Sequence, residues 1–382
     1  MIYLDNNATT APAAAVRETV FYCMEEYYAN SASLNHFEGI KANTYLGECR
    51  AVVAQMIEAA PENLFFNSGA TEANNMVIKS VADSFSQRGK VHIITSAIEH
   101  KCLLKSCEYL EKRGCEVTYL PVDFQGVIRI DRLIAAIRPE TRLISIMAAN
   151  NETGALQPLR EIGEIARQHG ILFHTDAAQF VGKLPFSVRE YQPDFVSFSA
   201  HKFYGPKGIG ALYCSKPELL LGSPLIHGGG QEWGVRSGTV NLPGVAGMAK
   251  AAELFISNHV AVLARHRDMK QKAIEQLLSQ FPDASINGCR DKSLPNTINF
   301  SLPGIKASTL LKKLKMKVAL SSASACHSAE QKFSHVLTAM GLSEMSLESA
   351  IRLSFSNTTN ADELGHALEL ITSTAHRLRG TS

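Results

Sequence analysis

The sequence predicts an α/β fold: a mainly parallel sheet covered on both faces, followed by a smaller α/β part. Short apolar runs alternate with helix-like stretches through the first two-thirds of the chain, the pattern of strand–helix–strand units. The runs are largely apolar, which fits strands buried on both sides. After about residue 245 the texture changes, and a long helical pattern opens a second region.

The strands are expected at 91–95 (VHIIT), 116–120 (EVTYL), 143–147 (LISIM), 171–175 (ILFHT), 194–198 (DFVSF) and 210–214 (GALYC). Amphipathic segments at 102–113 and 162–169 lie between some of them. The long helix is expected over about 246–281, and strand-like pieces follow at 296–301 and 317–320. Asn360 with Glu363 resembles a helix N-cap pair ahead of a final amphipathic helix. The expected division is a large domain at 14–255 and a small one formed by 1–13 with 256–382. No repeat, low-complexity tract or long linker interrupts this pattern.

The chain has 382 residues, enough to bury a sizeable core, and a formal net charge of +2. That charge gives no case for direct nucleic-acid binding. No apolar run approaches the roughly 18 residues of a membrane span, and the first residues turn polar at once without a signal-peptide pattern. A soluble, cytoplasmic protein with no membrane contact is expected. The eight cysteines are scattered without CxxC pairs, which disfavours a disulfide scaffold and a zinc site, so no metal is expected.

Lys202 ends the run Phe198-Ser199-Ala200-His201-Lys202, just after a strand, and a glycine-rich stretch at 205–210 follows. Small neighbours can hold a lysine in a desolvated pocket, which lowers its pKa and exposes the nucleophilic amine that Schiff-base chemistry needs. A solvated loop lysine is the plainer use of such a residue. Asp176 ends the 171–175 strand, where a carboxylate can pair with a pyridinium nitrogen or cap the next turn. Asn67-Ser68-Gly69-Ala70-Thr71 precedes a helix-like segment whose free N–H groups suit a phosphate. His100 can lie against a planar ring or serve as a cap. His227-Gly228-Gly229-Gly230 looks like an oxyanion loop, but no GxSxG elbow accompanies it. Walker A and GxGxxG patterns are also absent. Cys326 sits among small polar residues at 321–328 (SSASACHS), as in an exposed loop, and His327 can favour its thiolate.

Together these motifs resemble the cysteine desulfurase family of class V, fold-type-I pyridoxal-phosphate enzymes. The resemblance runs from Tyr3-Leu4-Asp5-Asn6-Asn7-Ala8-Thr9-Thr10 to Ile351-Arg352-Leu353-Ser354. It implies a seven-stranded, mainly parallel sheet in the large domain, with the cysteine loop in the small one. It implies that Lys202 binds the cofactor covalently and that Asp176 holds its pyridinium nitrogen. Gln179 is then near the phenolic oxygen and His100 stacks on the ring. Ala70, Thr71, Ser199 and His201 hold the phosphate, and Thr239 reaches the phosphate of a neighbouring subunit in a homodimer. Asn151, Arg352 and Asn30 receive the carboxylate of L-cysteine. The freed Lys202 removes the Cα proton, and Cys326 takes the sulfur as a persulfide for an acceptor protein.

Three departures from the family pattern stand out. The stretch Asn30-Ser31-Ala32-Ser33 lacks the proline usual at its second position. The cysteine loop reads Ser-Ala-Cys-His, where Ser-Ala-Cys-Thr is more common. About thirty residues follow Arg352, whereas housekeeping members extend further to dock an iron–sulfur scaffold. A specialised member is therefore the expectation, serving DNA phosphorothioation, tRNA thiolation or a dedicated iron–sulfur cluster pathway. Selenocysteine lyase activity is the alternative on the same fold. A non-catalytic sulfur carrier or partner-binding protein is the alternative outside enzymes.

Overall fold

The computed structural model describes residues 1–86, 89–322 and 333–380. Cys326 and His327, and the expectations attached to them, lie outside the described residues.

The central sheet has seven strands, in spatial order Leu64–Asn67, Gly210–Cys214, Phe195–Ser199, Leu172–Asp176, Thr141–Ser145, His92–Ser96 and Glu116–Leu120. Only Gly210–Cys214 runs against its neighbours. All six strands expected from the sequence are present, shifted by at most two residues. The seventh, Leu64–Asn67, was not expected. It is four residues long and buried throughout, so it shows no alternation that would separate it from its surroundings.

Successive residues of these strands feed opposite cores. Ile94, Ile144, Phe173 and Val196 pack on one face. Their neighbours Ile93, Leu143, Leu172 and Phe195 pack on the other. This is the period-two geometry of a sheet covered by helices on both sides.

The long helix spans Leu242–Gln280, about 58 Å at 1.5 Å per residue. It starts four residues before the expected position because the Asn241 side chain accepts from the Gly244 N–H and Pro243 suits the first turn. Its first half packs small residues such as Ala246 and Ala249 into the main core. Gly247 permits this approach: a Cβ there would stand 2.7 Å from Val20 and Pro206 side-chain atoms. The second half supplies Met269, Ala273 and Leu277 to a separate core. The helix thus passes unbroken through the boundary expected at 255.

That second core backs a four-stranded antiparallel sheet, ordered Ser321–Ser322, Ala350–Ser354, Thr297–Ser301 and Ser285–Ile286. The start of the chain is woven into it. Ile2–Tyr3 pairs with Val318–Ala319, Leu4 is fully buried there, and the Asn6 N–H donates to the Ser354 carbonyl at 3.1 Å. The final helix, Ala361–Arg379, is capped as expected: Asn360 Oδ1 accepts from the Glu363 N–H at 2.8 Å.

Candidate active site

The parallel strands deliver their carboxyl ends to one crevice, where ligands bind in open α/β sheets. Asp176 is the last residue of its strand, and Ser199 the last of the next. His201 and Lys202 follow in a short 3-10 turn. His100 caps the helix Lys101–Glu111. Ala70 and Thr71 open the helix Ala70–Ser86. With Asn151, Gln179 and Arg352 they line a cavity of about 660 Å³.

Lys202 Nζ donates to the carbonyls of Asn7 and Ala8, each at 2.8 Å. Burial, with Arg352 nearby, lowers its pKa to about 8. Asp176 Oδ2 accepts from Asn74 Nδ2 at 2.7 Å and Oδ1 from the Ala178 N–H at 2.9 Å. Two donors thus fix the orientation of its carboxylate. His100 caps a helix, the plainer of the uses open from sequence, and also lines the cavity. Its Nδ1 accepts from the Cys102 N–H at 3.2 Å, so the neutral ring carries its hydrogen on Nε2. Burial holds its pKa below the usual range. Burial, with Lys202 beside it, takes His201 down to about 4.

Arg352 rises from the strand Ala350–Ser354, only 8% exposed. Its guanidinium donates to the Asn151 carbonyl at 2.9 Å and to Asp5 Oδ1 at 2.5 Å. Among the described residues its Nε is buried without a partner. At the opposite wall, Gly69 has φ +150° and a Cβ there would approach Ser199 Oγ to 3.1 Å. The glycine lets the strand turn sharply into the helix start, where the N–H groups of Ala70 and Thr71 have no acceptor within the helix.

This donor set fits pyridoxal phosphate. The cavity holds an amine of lowered basicity for an aldehyde, an oriented carboxyl group for a pyridine nitrogen, and a helix start with Ser199 and His201 for a phosphate. The orphaned Arg352 Nε leaves donor capacity for a substrate carboxylate.

Two residues expected at the site do not line this cavity. Asn30 is exposed, and its Oδ1 closes a turn on the Ala32 N–H at 3.0 Å. Thr239 lines a neighbouring recess of about 160 Å³ with Ser68, Gly208 and Arg236. Conversely, Asp5, Asn7, Asn74 and Lys183 hold the site residues in place and were not singled out from sequence. Asp5 and Asn7 lie within the matching N-terminal motif, so that motif was the available signal. Asn74 and Lys183 carried none.

The flanks of the undescribed stretch are anchored beside the cavity. Before it, Ser321 pairs with Arg352 and Ser322 with Ile351. After it, Ser334 Oγ donates to Glu152 Oε2 at 2.6 Å, and His335 Nε2 lies 2.9 Å from the Glu99 carbonyl. Glu99 itself is buried, and burial pushes its carboxyl up to about 8.

A family model described as aminotransferase class-V matches residues 2–366. A relative named cysteine desulfurase IscS, from Dictyoglomus turgidum, is 41% identical over 382 residues, covering all of this chain and 96% of its own. A solved NifS-like protein superposes with a TM-score of 0.90 at 38% identity, covering 97% of this chain and 98% of its own. A structure described as SspA in complex with cysteine superposes at 0.81 with 37% identity, covering 93% and 99%.

Proposed function

Because this chain belongs to the class-V aminotransferase family, and within it to the cysteine desulfurases, we propose that Lys202, Asp176 and Arg352 carry its chemistry and that Cys326 receives the sulfur. The protein is a pyridoxal-phosphate-dependent cysteine desulfurase, which takes sulfur from L-cysteine and leaves L-alanine. The observation behind the residue roles is the meeting of an amine, a carboxylate, a helix start and a guanidinium in one cavity.

Lys202 would hold the cofactor covalently, with Asp176 at its ring nitrogen and Gln179 at its ring oxygen. His100 would cover the ring, and Ala70, Thr71, Ser199 and His201 would hold the phosphate. When bound, the cofactor supplies an electron sink for charge developing at the substrate Cα. Arg352 and Asn151 receive the carboxylate, the guanidinium trading part of its contact with Asp5 for a charge-assisted pair. Lys202, with a pKa of about 8, takes the proton from Cα as a neutral amine. The Cys326 thiolate bonds to the substrate sulfur as the sulfur–Cβ bond breaks. The carbon keeps the bonding pair and gains a proton, so cysteine and the Cys326 thiol become alanine and a persulfide.

The test is borohydride reduction of the loaded protein followed by peptide mapping, which is expected to fix the cofactor on Lys202. Cys326→Ala is expected to abolish sulfide release and persulfide. Full-rate sulfide from that variant would remove Cys326 from the mechanism.

The protein works as a homodimer in which Thr239 serves the phosphate site of the partner. Its exposure outside its own cavity supports this, as do the exposed Phe21, Tyr22, Met24, Tyr28 and Phe37. Sedimentation of the purified protein checks the assembly. We assign the persulfide to an acceptor protein, iron–sulfur cluster assembly being one such use. We also assign the enzyme to the cytoplasm, in keeping with its seven described cysteines, all free. We keep the division into 14–255 and 1–13 with 256–382 as a proposal, which the separate hydrophobic cores support.

A further inference from the structure

Lys183 is a buried amine that none of the steps above uses. It lies in the turn after Asp176, where Gly182 has φ +77° and a Cβ would stand 2.3 Å from Phe203. The turn therefore seats tightly beside Lys202. Lys183 Nζ donates to Gln179 Oε1 at 2.5 Å and to Asn7 Oδ1 at 2.8 Å. No carboxylate is among these partners. Burial, with Lys202 and Arg352 nearby, takes its pKa well below the usual lysine range.

The other end of the Gln179 amide is also fixed. Its Nε2 donates to the Asn7 carbonyl at 2.9 Å. Flipping the amide would set carbonyl oxygen against carbonyl oxygen and NH2 against Nζ. A carbonyl can only accept, so the Asn7 carbonyl selects this orientation, and Lys183 Nζ, donating to Oε1, holds it from the other end. The Asn7 carbonyl also receives Lys202, and Asn7 Nδ2 donates to Thr297 Oγ1 at 2.9 Å. Lys183 thus braces two groups at once: the amide on the cavity wall and the residue on which Lys202 rests.

We propose that Lys183 is a positioning residue that locks Gln179 so that its amide presents N–H, and not oxygen, to the cavity. The ligand atom this wall accepts is then an anionic or otherwise accepting oxygen. The identity of that atom as the cofactor's ring oxygen rests on the functional reading above. The locking of the amide does not.

Two readouts separate these layers. In the cofactor-free protein, the Gln179 side-chain NH2 resonances are assigned by their loss in Gln179→Leu. Lys183→Met is expected to shift or broaden them. Unchanged resonances in a variant that melts like the parent would overturn the proposal. In the loaded protein, the bound cofactor's absorption is titrated with pH. Lys183→Met and Gln179→Leu are each expected to move the midpoint in the same direction, by about one unit, the size of one hydrogen bond. The double variant is expected to move no further than Gln179→Leu alone. No shift, or additive shifts, would overturn it. Should Lys183→Met fail to fold, Lys183→Gln takes its place under the same non-additivity criterion. Loss of cofactor binding in the parent, with the resonance effect intact, would reject the functional reading and leave the positioning role standing.

Discussion

Arg50 and Arg352 are both buried, at 6% and 8% exposure, but their surroundings differ. Arg50 makes a two-pronged pair with Glu232 at 2.8 and 2.7 Å and donates to the Leu64 carbonyl at 2.6 Å. Its guanidinium lies 4.7 Å from the ring centroids of both Phe66 and Trp233. Glu232 also accepts from the Phe66 N–H at 2.7 Å. This pairing holds Glu232 and Trp233 at φ +49° and +53°, a left-handed backbone that non-glycine residues adopt at a cost. Arg352 pairs with Asp5 but shares its neighbourhood with Lys202 and Lys183, and its Nε has no partner among the described residues. The first region completes its charges internally. The second leaves positive capacity unspent, as a site for an anionic substrate must.

The largest test removes the amine at the centre of the second region. Lys202→Ala is expected to cut alanine formation from L-cysteine by about 10⁴-fold or more. More than about one-hundredth of the rate, by amino-acid analysis, would remove the lysine from its assigned role.

Arg50→Met leaves Glu232 buried and unpaired. It is expected to cost about 3–5 kcal/mol in denaturant unfolding. Arg352→Met strands Asp5, but that carboxylate is 22% exposed against 3% for Glu232, and the loss relieves repulsion with Lys202, so a smaller cost of about 1–2 kcal/mol is expected. Equal losses would erase the contrast between the two regions.

The same Arg352→Met substitution acts on substrate. It is expected to raise KM for L-cysteine about 10–100-fold, the equivalent of a charged hydrogen bond of about 1.5–3 kcal/mol. An unchanged KM would show that the spare donor capacity is not used for the carboxylate.

The smallest effect concerns protonation. Lys202 reacts as a neutral amine, and its pKa is lowered to about 8. Capture of pyridoxal phosphate by the apo protein is therefore expected to quicken as pH rises towards 8, by about tenfold per unit well below it, and to level off above. Absorbance kinetics measure this, and a flat profile from pH 6 to 9 would contradict the lowered pKa.

The sequence made the central strands legible because most are short, largely apolar runs set between helix-like stretches. Leu64–Asn67 escaped because four buried residues after a proline have no periodicity to read. Asp176, Ser199 and Lys202 were legible because chemistry-bearing residues stood at strand ends. Lys183 was not, because a lysine four positions after a glutamine in a turn looks like any solvated loop lysine. Its partner Asn7 lies 176 residues away, and no local pattern records such a meeting. The contact of Arg352 with Asp5 spans 347 residues and was hidden for the same reason. Asn30 shows the converse: a motif can be present while its side chain is spent on a local turn.

The weaving of the first residues into the second core also sets an order of assembly. Asn6 and Asn7 bond to Ser354 across 348 and 347 residues. During synthesis the central sheet can gather while these residues still wait for their partners. Contacts of such separation close late and carry a large loop-closure cost. The Asn7 carbonyl, which receives both Lys202 and Gln179, therefore gains its full set of neighbours only once residue 354 has been made.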